Sequence, residues 1–311
     1  NRGEVELDGE FSVGEQGGSY TFYDMAYERI CDDLYTLTAR VEDLAGNVTE
    51  QTIYFSVNRF GSVYSFSPEV TAIDGQYIRQ EQEVVLTETN VDSLEPESIW
   101  VRVTQNGVTR DLEEGSGYQL EVTGGSGSWS QYTYRIGAEQ FAGEGTYVVT
   151  VTSRDAAGNL NETSDAAKRA EIRFGVDKTA PVAVPINLDS GVTYPEDSKV
   201  VQVDVRDNLK LDQVEIYLNG AAAPTWMENG QYCFQLGSSD SPQAVEIVAS
   251  DMAGNTLRQQ VGGFYVTTNL YIRWLNNRPL FAGTIAAAVI LVCGISAGVA
   301  IRVRRKRRRR Q

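Results

Sequence analysis

One five-residue pattern occurs three times and restricts the fold more than any other feature of the chain. It reads Asp43-Leu44-Ala45-Gly46-Asn47, Asp155-Ala156-Ala157-Gly158-Asn159 and Asp251-Met252-Ala253-Gly254-Asn255. Before each copy, apolar side chains occupy alternate positions: Tyr35, Leu37, Ala39 and Val41; Tyr147, Val149 and Val151; Val245, Ile247 and Ala249. After each copy a second apolar run ends near Phe55-Val57, Phe174-Val176 or Phe264-Val266. A period of two is the mark of a strand with one buried face. Between two such strands, glycine reaches positive φ at little cost and a short carboxylate accepts hydrogen bonds from turn amides. The pattern therefore predicts one hairpin used three times, and a repeated hairpin predicts repeated β domains.

Asp43 and Asp155 are 112 positions apart, and Asp155 and Asp251 are 96 apart. About a hundred residues per unit suits an immunoglobulin-type (Ig-type) sandwich. The second unit contains strand-like runs at 83–87, 99–103, 118–122 and 132–136, with a hairpin turn at Asn106-Gly107. Its Gly124-Gly125-Ser126-Gly127-Ser128 stretch lacks the Lys-Ser/Thr ending of a phosphate loop and reads as a flexible connection. The third unit shows Val201, Val203 and Val205, then Val214, Ile216 and Leu218 before an Asn219-Gly220 turn, then Tyr232 and Phe234. Tyr35 and Tyr147 each stand eight residues before the repeated Asp, as in a tyrosine corner. Gln243 holds that place in the third copy, whose corner must be built differently or not at all.

DKTAP at 177–181, VDVRDN at 203–208, VEIYLNG at 214–220 and the three D-x-A-G-N hairpins together resemble tandem bacterial Ig-like domains of Gram-positive surface proteins. The resemblance covers residues 1 to about 268. It implies an all-β fold of tandem Ig-like Greek-key β-sandwiches and an exported stalk, spacer or adhesive role. The boundaries expected are 1–58 for the C-terminal part of an Ig-like domain, 59–176 and 177–268 for two complete sandwiches, and 269–279 for a juxtamembrane linker. Residues 1–58 are too few for a whole sandwich, so the chain reads as the C-terminal piece of a longer exported protein.

Residues 280–301 carry no charge and span about 33 Å as a helix, enough for a bilayer core. Residues 302–311 hold eight basic side chains, leaving 19 basic against 42 acidic residues before them. The positive-inside rule places this tail in the cytoplasm and the sandwiches outside a cell membrane crossed once. Tyr271 and Trp274 fit an interfacial anchor. Asn276-Asn277-Arg278-Pro279-Leu280 stands where a cell-wall sorting signal of the LPxTG type would be, which favours a retained membrane anchor. Gly294 and Gly298 form a GxxxG, a spacing that would support a weak homodimer but arises easily in an Ala/Gly-rich span.

The acidic body argues against nucleic acid as a partner. Cys31, Cys233 and Cys293 fall in separate regions, so no sandwich is expected to hold an internal disulfide. With no histidine in the chain, the commonest general base is missing. We expect no enzyme in this segment and assign no catalytic, cofactor-binding or metal-ligating residue. Each repeated Asp has two readings, turn cap or Ca²⁺ ligand; one carboxylate and one amide per loop fall short of the six to eight oxygens calcium takes, which favours capping. Asp204, Asp207, Asp212 and Glu215 read as solvent-facing strand positions. Glu113-Glu114 reads as an acidic loop rather than a glycosidase pair.

Some Gram-positive Ig-like domains carry Lys–Asn cross-links. Of the five lysines, Lys168, Lys178, Lys199, Lys210 and Lys306, only Lys199 adjoins an apolar run, and no cross-link is expected. Trp129 and Trp226 are either contacts for an extracellular protein or glycan, or fillers of the sandwich ends. Asn47-Val48-Thr49 and Asn161-Glu162-Thr163 match glycosylation acceptors. The leading expectation is a membrane-anchored surface stalk. The alternatives are an adhesin, with or without Ca²⁺ stiffening, and accessory domains of a surface hydrolase whose catalytic domain lies upstream.

Overall fold

The computed structural model describes residues 3–4, 8–15, 17–23, 25–125, 127–163 and 171–309. The chain forms two compact units, Asn1–Lys178 and Thr179–Gln311, each taken by itself below. Ser126, Lys168, Arg310 and Gln311 lie outside the described residues.

The first unit opens with two hairpins. β1 (Gly9–Gly14) pairs with β2 (Gly17–Phe22), and β3 (Asp33–Glu42) pairs with β4 (Val48–Val57). Tyr35 faces Phe55 and Leu37 faces Ile53 across the second hairpin, and the Tyr35 and Phe55 rings stack at 5.5 Å. The apolar face they share stays largely in solvent: Ile53 is 49% exposed and Val41 67%.

The rest of the unit is a two-sheet sandwich. Its strands are β5 (Val63–Phe66), β6 (Tyr77–Ile78), β7 (Val84–Asn90), β8 (Trp100–Gln105), β9 (Val108–Leu112), β10 (Gln119–Thr123), β11 (Ser130–Ile136), β12 (Gly145–Arg154), β13 (Leu160–Glu162) and β14 (Ile172–Val176). One sheet runs β10-β11-β7-β5, the other β6-β14-β12-β8-β9, with β13 beside β12. The chain changes sheet between β7 and β8, between β9 and β10 and between β11 and β12, the Greek-key pattern of Ig-like sandwiches. The first edge strand is split: β5 lies antiparallel to β7, whereas β6 lies parallel to β14 in the other sheet. Between them is α1 (Pro68–Ile73), started by proline in its first turn and capped by the Ser67 hydroxyl. Alternation does not announce this short helix; its only marks in the sequence are the Ser67 cap and the proline after it. The inward positions of β7, β11, β12 and β14 meet in one core containing Leu86, Tyr134, Ile136, Val149, Val151 and Ile172.

The second unit repeats this plan. Its strands are β15 (Val182–Pro185), β16 (Thr193–Tyr194), β17 (Ser198–Arg206), β18 (Leu211–Leu218), β19 (Ala221–Ala222), β20 (Thr225–Glu228), β21 (Gln231–Gly237), β22 (Ser239–Asp251) and β23 (Thr256–Val266). The sheets are β15-β17-β21-β20 and β16-β23-β22-β18-β19, and β16 again lies parallel to the last strand. Val201, Val203, Ile216, Phe234, Ile247 and Phe264 form its core. The expected all-β fold of Ig-like sandwiches followed by one apolar helix is therefore what the chain adopts. The final segments are α2 (Leu270–Asn276) and α3 (Arg278–Arg308). α3 is long and apolar enough to cross a membrane, alone in this among the described residues.

Candidate functional site: a polar joint at Asn58

The repeated turn has the same construction three times. Gly46, Gly158 and Gly254 all take positive φ, between +83° and +89°. In each copy one Asp oxygen accepts the Asn backbone N–H at 2.8 Å, from Asn47 to Asp43, Asn159 to Asp155 and Asn255 to Asp251. The other oxygen accepts the Asn side-chain amide, at 2.7, 3.0 and 2.8 Å. Asp and Asn thus clasp the turn from both ends. At the exposed first copy, the Asn47 side chain and then its backbone N–H hold the Asp43 carboxyl below the usual carboxylate range.

The second copy is buried and does more. Asp155 is 0% exposed, and its Oδ2 accepts amide N–H groups from Asn58, Asn90 and Asn159, each at 3.0 Å. Burial works to raise its pKa, but the Asn90 and Asn159 donors, with Asn58, outweigh it and hold the carboxyl below its ordinary value. Asn58 is the residue that follows β4, so the joint between the first hairpins and the sandwich is tied into the clasp. Asn58 Oδ1 also accepts the Gly61 N–H at 3.1 Å, and Asn159 Nδ2 donates to the Asn58 carbonyl at 3.1 Å. Gly61 has φ +66°, and a Cβ there would collide with Asn161 Oδ1, so only glycine fits this corner.

From Asn90 the polar chain continues into the core. Asn90 Nδ2 donates to Ser62 Oγ at 2.8 Å, and Ser62 donates in turn to Glu88 Oε1 at 2.6 Å. Glu88 is fully buried and receives hydroxyls from Ser153 at 2.6 Å, Tyr134 at 2.7 Å and Tyr64 at 3.2 Å. Four hydroxyl donors take the place of the water a buried carboxylate loses. Burial, with the Glu88 charge and the hydrogen bond to it, pushes the Tyr134 and Tyr64 phenols far above their ordinary values, so both remain donors. Because Ser153 lies on β12 and Glu88 on β7, this group pins one sheet to the other.

The outer side of the joint is equally saturated. Asp32, 5% exposed, accepts the backbone N–H groups of Arg59 at 2.9 Å and Phe60 at 2.8 Å. Arg59 donates to the Ala26 carbonyl at 2.8 Å and lies over the Tyr27 ring, while Arg29 donates to the Phe60 carbonyl at 2.9 Å and lies over the Phe60 ring. Trp129 is half-buried, and its indole N–H donates to Asp33 at 2.8 Å.

The other residues singled out from sequence disperse, except that carboxylate oxygens of Asp207 and Asp251 lie within 4.8 Å of one another. Asp204 pairs with Arg206 at 2.6 Å, Glu215 accepts the Tyr217 hydroxyl at 2.8 Å, and Asp207 caps the Leu209 N–H at 3.0 Å. Glu114 forms an isolated bridge with Tyr118 beside a turn. Lys178 pairs with Glu81 at 2.6 Å, and Lys199 sits over the Tyr194 ring at 4.4 Å. Trp226 is 42% exposed on β20. Asn161 is fully buried, so the folded chain cannot carry a glycan there, whereas Asn47 is exposed. The tyrosine corners form as expected: Tyr35 donates to the Cys31 carbonyl at 2.8 Å and Tyr147 to the Gly143 carbonyl at 2.6 Å. In the third copy the Gln243 amide reaches the Gly237 carbonyl at 3.2 Å instead.

Sequence reasoning reads Asn58 to Pro68 only as a junction, with Gly61 and Ser62 flanked by aromatics, and passes over Glu88, Asn90 and Ser153. The available signal was parity: Val84, Leu86, Glu88 and Asn90 share one face of β7, and a charged residue on a core face requires built-in partners.

No protein-family model matches the sequence, and no curated protein matches it. Solved structures with some likeness include the fibronectin(III)-like modules of Clostridium thermocellum CbhA, at 12% identity over 67% of this chain and 96% of that one, TM-score 0.29. A Ca²⁺-stabilized adhesin with which an Antarctic bacterium binds ice matches at 16% identity over 82% of this chain and 61% of its own, TM-score 0.26. The N-terminal eight Ig domains of Down Syndrome Cell Adhesion Molecule match at 12% identity over 82% and 34%, TM-score 0.21. Scores of this size decide nothing; the Ig-like assignment rests on the strand order.

Proposed function

We propose that this chain is an extracellular spacer of a membrane-anchored surface protein, with α3 as its anchor and the basic residues after Ile301 on the cytoplasmic side. The observation that carries this reading is the joint at Asn58. Its backbone groups, two arginines and an asparagine are committed to neighbours on both sides, so the connection is built to hold an angle rather than to bind a small molecule. Each buried hydrogen bond contributes about 1 kcal/mol, and the cost of leaving several donors unpaired at once opposes bending. The lipid-length apolar stretch of α3 and the basic run behind it support the anchor and its orientation.

The test is the distance between spin labels at Leu44→Cys and Asn106→Cys, one on each side of the joint. A narrow distribution that broadens in Asn58→Ala and Arg59→Ala supports a stiff spacer; a broad distribution in the parent chain sinks it. The adhesin reading draws on one separate observation, the exposed Trp226 beside Met227 on β20. Binding of a protein or glycan that Trp226→Ala abolishes without changing the melt would favour it.

A further inference from the structure

We infer that α2 lies in the headgroup region of the bilayer and seats the end of the second unit's sandwich directly on the lipid surface. This inference rests on α3 crossing a membrane. α2 does not hang loose between sandwich and anchor. Its N-cap Asn269 donates to Asp240 at 2.8 Å, and Thr267, which follows β23, donates to the same carboxylate at 2.6 Å. These two donors, Thr267 first, hold the Asp240 carboxyl below its ordinary value. Thr268 donates to Asp197 at 3.0 Å, and at the far end of α2 Asn276 donates to Thr193 on β16 at 3.1 Å. Both ends of the helix are thus fastened to the sandwich.

The other side of α2 is fastened to the anchor. Asn277 ends α2 and caps α3 through Leu280 N–H at 3.1 Å, leaving no free linker. Trp274 then folds back along α3: its ring lies 4.9 Å from Phe281, and its indole N–H donates to Thr284 at 2.9 Å. Thr284 is one turn inside the apolar stretch, about 6 Å past Leu280 along the axis. The stretch from Leu280 to Ile301 is about 33 Å long against a hydrocarbon core of about 30 Å. Only about 3 Å of slack remains, less than the 6 Å that would lift Trp274 into water.

The side chains suit that depth. Leu270 is 75% exposed, Tyr271 63% and Leu275 42%, and Arg273 and Arg278 are also exposed, where lipid phosphates would lie. A partly buried indole with its N–H satisfied, an exposed phenol and flanking arginines form an interfacial set. The partner is a phospholipid surface, reached because α3 is already in it.

The experiment uses the full chain and its Trp274→Phe variant in phosphatidylcholine vesicles, with alkaline extraction to establish that α3 is inserted. Lipids brominated near the headgroup end of their chains should quench the parent chain. That quenching should disappear almost entirely in Trp274→Phe, while iodide in the water quenches both chains alike. If the inserted parent chain is not quenched by bromolipid, or if Trp274→Phe removes an iodide-quenched component, α2 stands in water and the inference is overturned. If alkali strips the chain from the vesicles, the anchor reading fails and this inference falls with it.

Discussion

The β3–β4 hairpin and its counterpart in the sandwich of the same unit, β12 with β14, are nearly the same object in two surroundings. Tyr35 opposes Phe55 and Leu37 opposes Ile53, as Tyr147 opposes Phe174 and Val149 opposes Ile172. Both aromatic pairs stack at 5.5 Å, with interplanar angles of 18° and 21°. Yet Ile53 is 49% exposed and Ile172 1%, and Phe55 is 39% exposed against 4% for Phe174. The difference comes from neighbours. β12 has β8 beside it in the sheet and the β7–β11 layer opposite; β3 and β4 have only each other among the described residues. Pattern and turn therefore form the hairpin, and a second layer is needed to convert its apolar face into stability.

The largest effect should separate these two settings. Phe174→Ala should destabilise the first unit's sandwich by about 3–5 kcal/mol and Ile172→Ala by about 2–5, as large-to-small changes in a closed core do. Phe55→Ala and Ile53→Ala should shift urea melts far less, because solvent already reaches their sites. Equal losses in both pairs would mean that something covers the β3–β4 face in solution.

A second contrast concerns the clasp. Asp155→Ala removes the acceptor of four N–H groups, the side-chain amides of Asn58, Asn90 and Asn159 and the Asn159 backbone, and should cost about 3 kcal/mol, judged by urea midpoint. Asp43→Ala, on a solvated turn, should leave the midpoint almost unmoved. An intermediate effect follows from pH. The Asp155 carboxyl is held below its ordinary value in the folded chain, so its contribution is complete above the unfolded carboxylate pKa. It is lost as pH falls through the lower, folded pKa. Stability of the parent chain should therefore fall below about pH 4, and Asp155→Asn should flatten that part of the profile. An unchanged slope would assign the acid sensitivity to other carboxylates.

The smallest effect is at the corners. Tyr147→Phe loses one hydrogen bond to the Gly143 carbonyl and should cost about 1 kcal/mol. Tyr35→Phe should cost less, since its strand carries little burial energy.

Much of this was legible in the chain. The D-x-A-G-N spacing, the alternation and the Asn-Gly turns act through backbone φ preference and side-chain parity over a few residues, so they predict hairpins, sandwich size and the tyrosine corners. The 22 uncharged residues from Leu280 act through length and transfer energy alone, so the membrane-length helix was equally plain. Short pieces such as α1, β6, β16 and β19 escaped, because two to six residues carry too little periodicity and exist through tertiary pairing.

The sequence by itself thus determined the class of fold, the three hairpins and the membrane-length helix, because local geometry and hydrophobicity are written residue by residue. Only the tertiary structure decided that the Asp is buried in two of the three turns, at Asp155 and Asp251, and exposed at Asp43. It alone brought Asn58, Asn90 and Asn159 to one carboxylate, and it gave Glu88 four hydroxyls from β7's neighbours and the opposite sheet. It also folded Trp274 back onto Phe281 and Thr284. Those contacts depend on which strand or helix lies alongside, and that is settled by packing over long sequence separations.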